Sequence, residues 1–343
     1  MPPAISVVIP LYNKRPYIER CLQSVRNQTF TDYQIVVVND GSTDGGEELV
    51  RPFLGTGDLL INQKNAGVSA ARNRGAEEAQ ADLIALLDAD DEWLPEHLQD
   101  THQLAHLFPE AGLLGSGKRE IRGSLIRDIQ LSGSSPRVVD YFAIASTFPV
   151  DSSSVVMRRH TFLALGGFRV GEALGEDIEL WARIAMHHCV ALHPRITSIY
   201  QRDAQTHELN AESSPRGTGL ELTYAMLERA VAEGSCPPSR SLTTIRYAAE
   251  LRMRDARALI LQGRCAEAAA LLKNETVSAA GLARQAQVLM ACARVRSCLP
   301  PPIYGAFVRI ARFARRHSKQ VFTRTYGDII VRQYYADRDA LEA

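Results

Sequence analysis

The amino-acid sequence predicts an α/β domain, built on a doubly wound and mostly parallel sheet, followed by an α-helical C-terminal domain. Over roughly the first 110 residues, short aliphatic runs alternate with segments whose apolar residues recur at helical spacing. From about residue 220 the strand patterns end, and Ala, Leu and Arg dominate. Strands that alternate with helices indicate parallel pairing, because each helix carries the chain back to the edge where the strand began.

The N-terminal elements follow from these patterns in order. Ile5–Tyr12 is predicted to be a strand, and Pro16–Gln28 a helix with Ile18, Leu22 and Val25 on one face. Pro95 stands at the first turn of the predicted helix Pro95–Phe108, where proline favours helix initiation. The further strands are predicted over Tyr33–Asn39, Leu59–Asn62 and Leu83–Leu87, and the further helices over Thr43–Phe53, Val68–Ala79 and Pro95–Phe108.

The middle of the chain is less regular. Arg119–Arg137 is polar and contains Gly and Ser, which indicates a loop or a hairpin. Ser152–Met157 and Leu192–Tyr200 are predicted strands, and Asp177–His188 is a predicted amphipathic helix. A polar stretch over 205–220 is the predicted domain boundary, which gives a catalytic domain over 1–210 and a helical domain over 220–343.

Composition limits the classes of function. The chain of 343 residues has 45% hydrophobic and 23% charged residues, as globular proteins do, and its formal net charge of zero argues against nucleic acid as a partner. Six scattered cysteines without a CxxC pair favour reduced thiols in a cytoplasmic compartment. The N-terminus does not have the pattern of a signal peptide, and no apolar stretch reaches the ~18 residues of a membrane span.

A run of acidic residues directly follows the apolar segment of the fourth predicted strand. Asp88, Asp90, Asp91 and Glu92 would repel one another at the strand end unless a positive group lies there. Two carboxylates separated by one residue suit Mg²⁺ or Mn²⁺, which leave coordination positions open for phosphate oxygens. The alternative is an acidic loop whose charges stabilise the start of the next helix.

Two other polar clusters also follow strands or begin helices. In Asn39–Asp44, Gly41 permits a tight turn and Asp40 offers a carboxylate to a base or ribose; the alternative is an Asx turn that caps a helix. Asn65–Gly75 begins another predicted helix, and there the alternative is an amphipathic helix whose arginines face water. Ligands of such sheets bind beyond the carboxyl ends of the strands, and three polar clusters fall at such ends: Tyr12–Lys14, Asn39–Asp44 and Asp88–Glu92.

Taken together, these motifs resemble family 2 of the inverting glycosyltransferases, which have the GT-A fold. The resemblance covers roughly residues 4–205, and the motifs agree in order and spacing. The matching segments are Ile9-Pro10-Leu11-Tyr12-Asn13, Asn39-Asp40-Gly41-Ser42-Thr43-Asp44, Asn65-x-Gly67-x-Ser69-x-Ala71-Arg72-Asn73-x-Gly75, Asp88-Ala89-Asp90-Asp91, and Gly175-Glu176-Asp177 before Trp181 and Arg183.

The resemblance implies a nucleotide-binding role for residues of the first four motifs. Tyr12 and Asp40 would hold the base, Arg72 would lie near the base or the diphosphate, and Asp88 would contact the ribose. The nucleotide-binding set that the resemblance implies is Pro10, Tyr12, Asp40, Arg72 and Asp88.

The resemblance also implies a metal site and a catalytic base. Asp90 would bind Mn²⁺ or Mg²⁺ with Asp91 as a helper, and Asp177 would be the base, with Glu176 beside it in the acceptor pocket. Acidic residues at a helix start are also ordinary capping choices. His207 follows the last strand, where the family sometimes places a metal or phosphate ligand, although a single histidine is more often structural.

The implied reaction moves a sugar from a nucleotide-sugar, most simply a UDP-sugar, to a hydroxyl acceptor of a cell-surface or lipid-linked glycan. Two alternatives remain open. A sugar-phosphate nucleotidyltransferase also binds a nucleotide and a metal at an α/β sheet, although the Pro10–Asn13 segment does not look like its glycine-rich loop. A catalytically degenerate scaffold that acts through its helical tail is the second alternative.

A basic amphipathic helix is predicted over 303–324. Such a helix can lie on an anionic membrane surface, which would place a cytoplasmic protein at the inner face of the membrane; the alternative is a helix packed on its own domain. A homodimer formed through the helical tail is also open. The apolar positions are Ile303, Phe307, Ile310, Ala314 and Val321, and the basic ones are Arg309, Arg312, Arg316 and Lys319.

Overall fold

The computed structural model describes residues 2–148, 150–172, 175–201 and 220–298. The chain divides into two compact units, Met1–Thr206 and His207–Ala343. The predicted domain limit at residue 210, His207 and the predicted helix 303–324 all lie outside the described residues. Membrane contact and dimer formation through the tail therefore stay predictions.

The first half of the N-terminal unit confirms the predicted order of strands and helices. A short 3-10 turn, Arg51–Phe53, completes the second predicted helical segment, Thr43–Phe53. The elements are β1 (Ile5–Leu11), α1 (Arg15–Arg26), β2 (Tyr33–Asn39), α2 (Gly46–Val50), β3 (Leu59–Asn62), α3 (Val68–Glu78), β4 (Leu83–Leu86), β5 (Glu92–Trp93) and α4 (His97–Leu107).

The second half of this unit adds strands that make both parallel and antiparallel pairs. A 3-10 turn at Ser152–Ser154 directly precedes β9, where the sequence predicts a single strand over Ser152–Met157. The elements are β6 (Ala111–Arg122), β7 (Leu125–Ile129), β8 (Arg137–Val139), α5 (Tyr141–Ile144), β9 (Val155–Arg158), α6 (Arg159–Ala164), α7 (Glu176–His187) and β10 (Cys189–Gln201).

The sheet is mixed rather than mostly parallel. Its order is β3-β2-β1-β4-β9-β6-β10-β5, with β7 beside β6 and β8 beside β10. The four strands from β3 to β4 are parallel to one another, whereas β9 is antiparallel to both β4 and β6. Two neighbouring parallel strands must be joined by a long crossover, usually an α-helix. Between β6 and β9 the described helix, α5, has only four residues, which agrees with the antiparallel pairing of these strands. This difference from the prediction leaves the parallel half, which carries the first motifs, as expected.

The core of the N-terminal unit lies on both sides of the parallel strands. Every residue of β1 is buried, and Ile18, Leu22 and Val25 of α1 are fully buried, as their spacing predicts. Gly75 lets α3 approach β1 closely, because a side chain there would overlap Val8. This packing fixes α3, and with it the position of Arg72.

The C-terminal unit is helical over the residues that the structure describes. Its core is formed by Ala, Leu and Met side chains of α9 and the helices that follow it. Across the described ranges, no helix is long and apolar enough to cross a membrane. The elements are α8 (Glu221–Ala232), α9 (Ser241–Leu261), α10 (Cys265–Leu272), α11 (Glu275–Ala279) and α12 (Ala283–Cys298).

Candidate active site

The carboxyl ends of β1, β2 and β4 bring three of the predicted motifs to one rim of the sheet. Tyr12 follows β1 and is exposed, Asp40 follows β2, and Asp88 follows β4 by two residues. Pro10 is buried within β1, opposite Val38, so its predicted contact with a nucleotide stays a prediction. Because parallel strands end together at this rim, it is the position at which ligands of such sheets bind.

Arg72 joins two of the acidic motifs. Its guanidinium donates from Nη2 to Oδ1 of Asp88 at 2.7 Å and from Nη1 to Oε1 of Glu176 at 3.0 Å, and its side chain is 4% exposed. The Phe168 ring lies 5.2 Å from this guanidinium. Burial lowers the pKa of Arg72, but the carboxylates of Asp88 and Glu176 outweigh burial and raise it above its ordinary value. The charged Arg72 therefore links the strand-end carboxylate to the start of α7.

The rim has more carboxylates than paired basic side chains among the described residues. Lys14 Nζ lies 2.9 Å from Oδ2 of Asp90, and Arg72 serves both Asp88 and Glu176. Burial and the nearby charge of Asp90 raise the pKa of Asp88 despite its pairing with Arg72. Such an excess of negative charge, with oxygen donors on Asp88 and Asp90, fits a hard divalent cation.

The described residues do not form a complete protein cage for a metal. Within those ranges, no group of three or more His, Cys, Asp or Glu side chains is placed to hold one. Mg²⁺ and Mn²⁺ sites that act on nucleotides commonly use one or two carboxylates and complete their coordination with phosphate oxygens and water. One or two carboxylates at this rim therefore agree with an ion that arrives with a diphosphate.

Asp91 is turned inward. Its Oδ2 accepts a hydrogen bond from Ser153 Oγ at 2.6 Å, its Oδ1 accepts from the Gln201 backbone at 2.9 Å, and the residue is 1% exposed. Burial, followed by the charge of Asp90, raises the pKa of Asp91 well above its usual range. Asp91 therefore links the rim to β10. Because both of its oxygens are used in this way, Asp90 is the better candidate for a metal ligand.

Asp40 is held by the turn that leads into α3. Its Oδ1 accepts from Gln63 Nε2 and the Ala66 backbone, and its Oδ2 accepts from the Gly67 backbone, all within 2.9 Å. Gly41 beside it has φ +77°, and a Cβ there would lie 2.9 Å from the Asn65 backbone nitrogen. Asp40 therefore fixes the turn into α3 at the rim, and its predicted contact with a base stays a prediction.

Asp177 is a partly buried carboxylate at the first turn of α7. Its Oδ1 accepts a hydrogen bond from the Ile178 backbone at 2.7 Å. Burial and then the charge of Glu176 raise the pKa of Asp177 to about 7, against the opposing effect of Arg72. A carboxylate with this pKa can accept a proton near neutral pH, which is the property required of a general base.

The structure adds Lys118 and Asp151, two charged residues that the sequence analysis misses. Lys118 is a buried lysine on β6, and its Nζ lies 2.7 Å from Oδ2 of Asp151. Both charges act on Asp177. A lysine within the apolar segment Ala111–Lys118 was a usable signal, whereas Asp151 had none because it reaches this cluster only through the sheet topology.

Comparison with known proteins identifies the N-terminal unit. The model of the family described as Glycosyl transferase family 2 matches residues 6–127. The N-terminal unit belongs to glycosyl transferase family 2. The enzyme class predicted from the motifs is thereby confirmed at the level of the family.

The relatives of this family 2 unit are similar over limited lengths. Glycosyltransferase GlyA of Streptococcus pneumoniae is 40% identical over 99 residues, which are 28% of this chain and 14% of GlyA. The matches span less than a third of the length of the first two curated relatives. The activity of the whole protein is therefore a proposal.

Two solved structures confirm the predicted GT-A fold class. Staphylococcus aureus TarS 1–349 in complex with UDP-GlcNAc has a TM-score of 0.63 at 16% identity, covering 92% of this chain and 93% of that chain. Mannosyltransferase PcManGT of Pyrobaculum calidifontis, in complex with GDP-Man and Mn²⁺, has a TM-score of 0.54 at 20% identity, covering 87% and 88%. At these identities the likeness is one of fold.

Asn73 fastens the loop before α7 of the family 2 unit to α3. Its Nδ2 donates to the Phe168 carbonyl and its Oδ1 accepts from the Phe168 backbone nitrogen, both at 2.8 Å. We expect Asn73→Ala to destabilise the fold by about 1–3 kcal/mol, because both backbone groups lose their partner. Urea unfolding measures this loss. Asn65, which is exposed, provides the control: Asn65→Ala should change the free energy of unfolding by less than about 0.5 kcal/mol. Equal losses of unfolding free energy in the two variants would show that the Asn73 hydrogen bonds do not stabilise the fold.

Proposed function

We propose that the family 2 unit transfers a sugar from a nucleotide-sugar, most simply a UDP-sugar, to a hydroxyl of a cell-surface or lipid-linked glycan, with inversion at the anomeric carbon. Family membership supports sugar transfer. A UDP donor is favoured by the likeness in fold to TarS, which was solved with UDP and with UDP-GlcNAc. A divalent cofactor is favoured by the Mn²⁺ in the PcManGT complex.

One observation carries the proposal. Arg72 holds Asp88, at the end of β4, and Glu176, at the start of α7, on the same guanidinium. The carboxylates predicted to meet the donor and the carboxylates predicted to meet the acceptor therefore lie around one centre, although they are separated by almost 90 residues in sequence. A transfer between two bound substrates requires this proximity.

The chain's own residues suit a single displacement. Ionised Asp177 takes the proton of the attacking hydroxyl, and Glu176 lies beside it, fixed by its ion pair with Arg72. Direct attack on the anomeric carbon by the acceptor, with no covalent sugar on the protein, gives inversion. Buried Lys118 and its partly buried partner Asp151 border the same region and can position acceptor or sugar hydroxyls.

Asp90, with Asp88 beside it, is the proposed holder of Mn²⁺ or Mg²⁺. The ion would neutralise charge that builds on the leaving diphosphate as the sugar departs. Lys14, which pairs with Asp90 in this structure, supplies a further positive charge at the phosphate end of the rim.

Calorimetric titration of UDP tests the nucleotide and metal parts of the proposal. We expect Mn²⁺ to strengthen UDP binding to the wild type, and Asp90→Asn to lose at least about tenfold of that enhancement, because a carboxylate ligand is removed. The control is Asp82→Asn, which changes an exposed carboxylate directly before the first residue of β4, at the end of the strand away from the rim. Equal enhancement in wild type and Asp90→Asn would exclude Asp90 as a metal ligand.

The products distinguish the three functions that the sequence leaves open. A donor screen with Mn²⁺ should release a nucleoside diphosphate from one sugar nucleotide when an acceptor is present. A sugar-phosphate nucleotidyltransferase would instead release pyrophosphate from a nucleoside triphosphate. A degenerate scaffold would bind neither UDP nor metal at this rim, which would end the proposal.

A further inference from the structure

Two histidines lie one helical turn apart on α4. His102 and His106 are at i and i+4, and their Nε2 atoms are 3.3 Å apart. The two rings meet edge to face, with centroids separated by 4.5 Å and planes inclined at 85°. His106 is exposed and His102 is partly buried, so solvent reaches the pair.

The separation of the two nitrogens matches the distance that a transition metal requires. At Zn–N bonds of about 2.0–2.1 Å in tetrahedral geometry, two imidazole nitrogens lie roughly 3.3 Å apart. Histidines at i and i+4 share one face of a helix, so the helix backbone holds both rings on that face. Ion binding at this pair needs no rearrangement of α4.

The segment between α1 and β2 packs against His102 of the pair. The ring of Phe30 packs against His102 with centroids 4.5 Å apart. The Thr29 backbone donates to the Pro95 carbonyl at 2.9 Å, and Gln28 Oε1 accepts from the Leu98 backbone at 2.9 Å, so this segment is fastened to the start of α4. Ordered ligands lose less rotamer entropy when they bind an ion.

A carboxylate lies near the pair. The negative charge of Asp32 acts on His102. A neutral imidazole has a free lone pair, and a nearby carboxylate favours a bound cation. Without an ion, one Nε2–H donates to the other Nε2; with an ion, both rings take the Nδ1–H tautomer and offer both Nε2 lone pairs.

We propose that His102 and His106 form a two-imidazole binding site for a borderline transition-metal ion, namely Zn²⁺, Cu²⁺ or Ni²⁺, with water completing the coordination. Imidazole prefers these ions, whereas Mg²⁺ and Mn²⁺ prefer oxygen ligands. The site is also remote from the rim: it lies in the last turns of α4, beside the segment that leads into the amino end of β2. It is therefore distinct from the metal site proposed at Asp90.

Zn²⁺ titration of the full chain without nucleotide tests this site. We expect the wild type to bind one more Zn²⁺ than His102→Gln or His106→Gln, each of which should weaken that site about tenfold or more because one of two ligands is removed. Glutamine keeps much of the ring's bulk against Phe30, so both variants should fold. The control is the exposed His160→Gln, which should keep the extra site.

Copper provides the second measurement. Electron paramagnetic resonance of one equivalent of Cu²⁺ should show hyperfine structure from two nitrogen ligands in the wild type and from one in either variant. Equal Zn²⁺ stoichiometry in all four proteins, or loss of the site in one variant with full affinity in the other, would overturn the proposal. Because no nucleotide is present, neither result depends on the proposed glycosyl transfer.

Discussion

Asp177→Asn is expected to lower nucleotide-sugar turnover by about 10²–10⁴-fold while UDP binding stays close to that of the wild type, because general-base catalysis contributes about this much. Asparagine has nearly the same shape and can still accept a hydrogen bond from the Ile178 backbone through its amide oxygen. It cannot accept the proton of the acceptor hydroxyl. Steady-state release of nucleoside diphosphate, compared with calorimetric UDP binding, separates catalysis from binding.

The same residue determines the expected pH dependence. The pKa of Asp177 is raised to about 7, and the ionised form is the base. Turnover should therefore be low below pH about 7, rise as pH increases through that value, and level off above it. The rising limb should be absent from the residual activity of Asp177→Asn. Asp82→Asn, the exposed control at the amino end of β4, should keep both the wild-type rate and its rise with pH.

Stability should change in the opposite direction to activity. Because the pKa of Asp177 is higher in the folded chain than in the unfolded chain, the folded state binds more protons between pH about 4 and 7. Its ionisation therefore lowers the free energy of unfolding as pH rises through this window. Asp177→Asn cannot ionise, so it should melt at a higher temperature than the wild type in mildly alkaline buffer. A variant with unchanged rate and unchanged melting temperature would contradict a base with a raised pKa at this position.

The sequence predicts the parallel half of the fold well because its signals are local. The β2 strand, Tyr33–Asn39, has the predicted bounds because its apolar run is bounded by polar residues on both sides. The antiparallel insertion of β9 between β4 and β6 could not be predicted, because pairing between distant strands leaves no local pattern. The antiparallel strands account for the difference between the predicted and the observed sheet.

The candidate site shows the same limit at the level of single side chains. The run Asp88–Asp91 predicts a carboxylate cluster, but not which member faces the rim. Asp91 turns inward because Ser153 and the backbone of Gln201 meet it, and these partners are 62 and 110 residues away in sequence. The raised pKa of Asp177 likewise depends on burial and on contacts made across the fold. Residue types were therefore predictable, whereas their environments were not.

Arg72→Met is expected to destabilise the N-terminal unit by about 3–5 kcal/mol, because it leaves two partly buried carboxylates without their cation. Methionine keeps much of the volume beside the Phe168 ring, so the loss reports mainly on charge. The matched control is Arg74→Met on the same helix. The Arg74 side chain is 48% exposed and pairs with Glu78 at the surface, so its loss should cost no more than about 1 kcal/mol.

Urea unfolding at neutral and at mildly acidic pH measures the difference between the two variants. Arg72 lowers the pKa of Asp88 in the wild type, so in Arg72→Met the unpaired Asp88 should bind a proton more readily, and the deficit in unfolding free energy should shrink as pH falls. The deficit of Arg74→Met should change little over the same range. Equal deficits for the two variants at neutral pH would mean that Arg72 is a surface charge in solution, and the common centre for donor and acceptor carboxylates would lose its support.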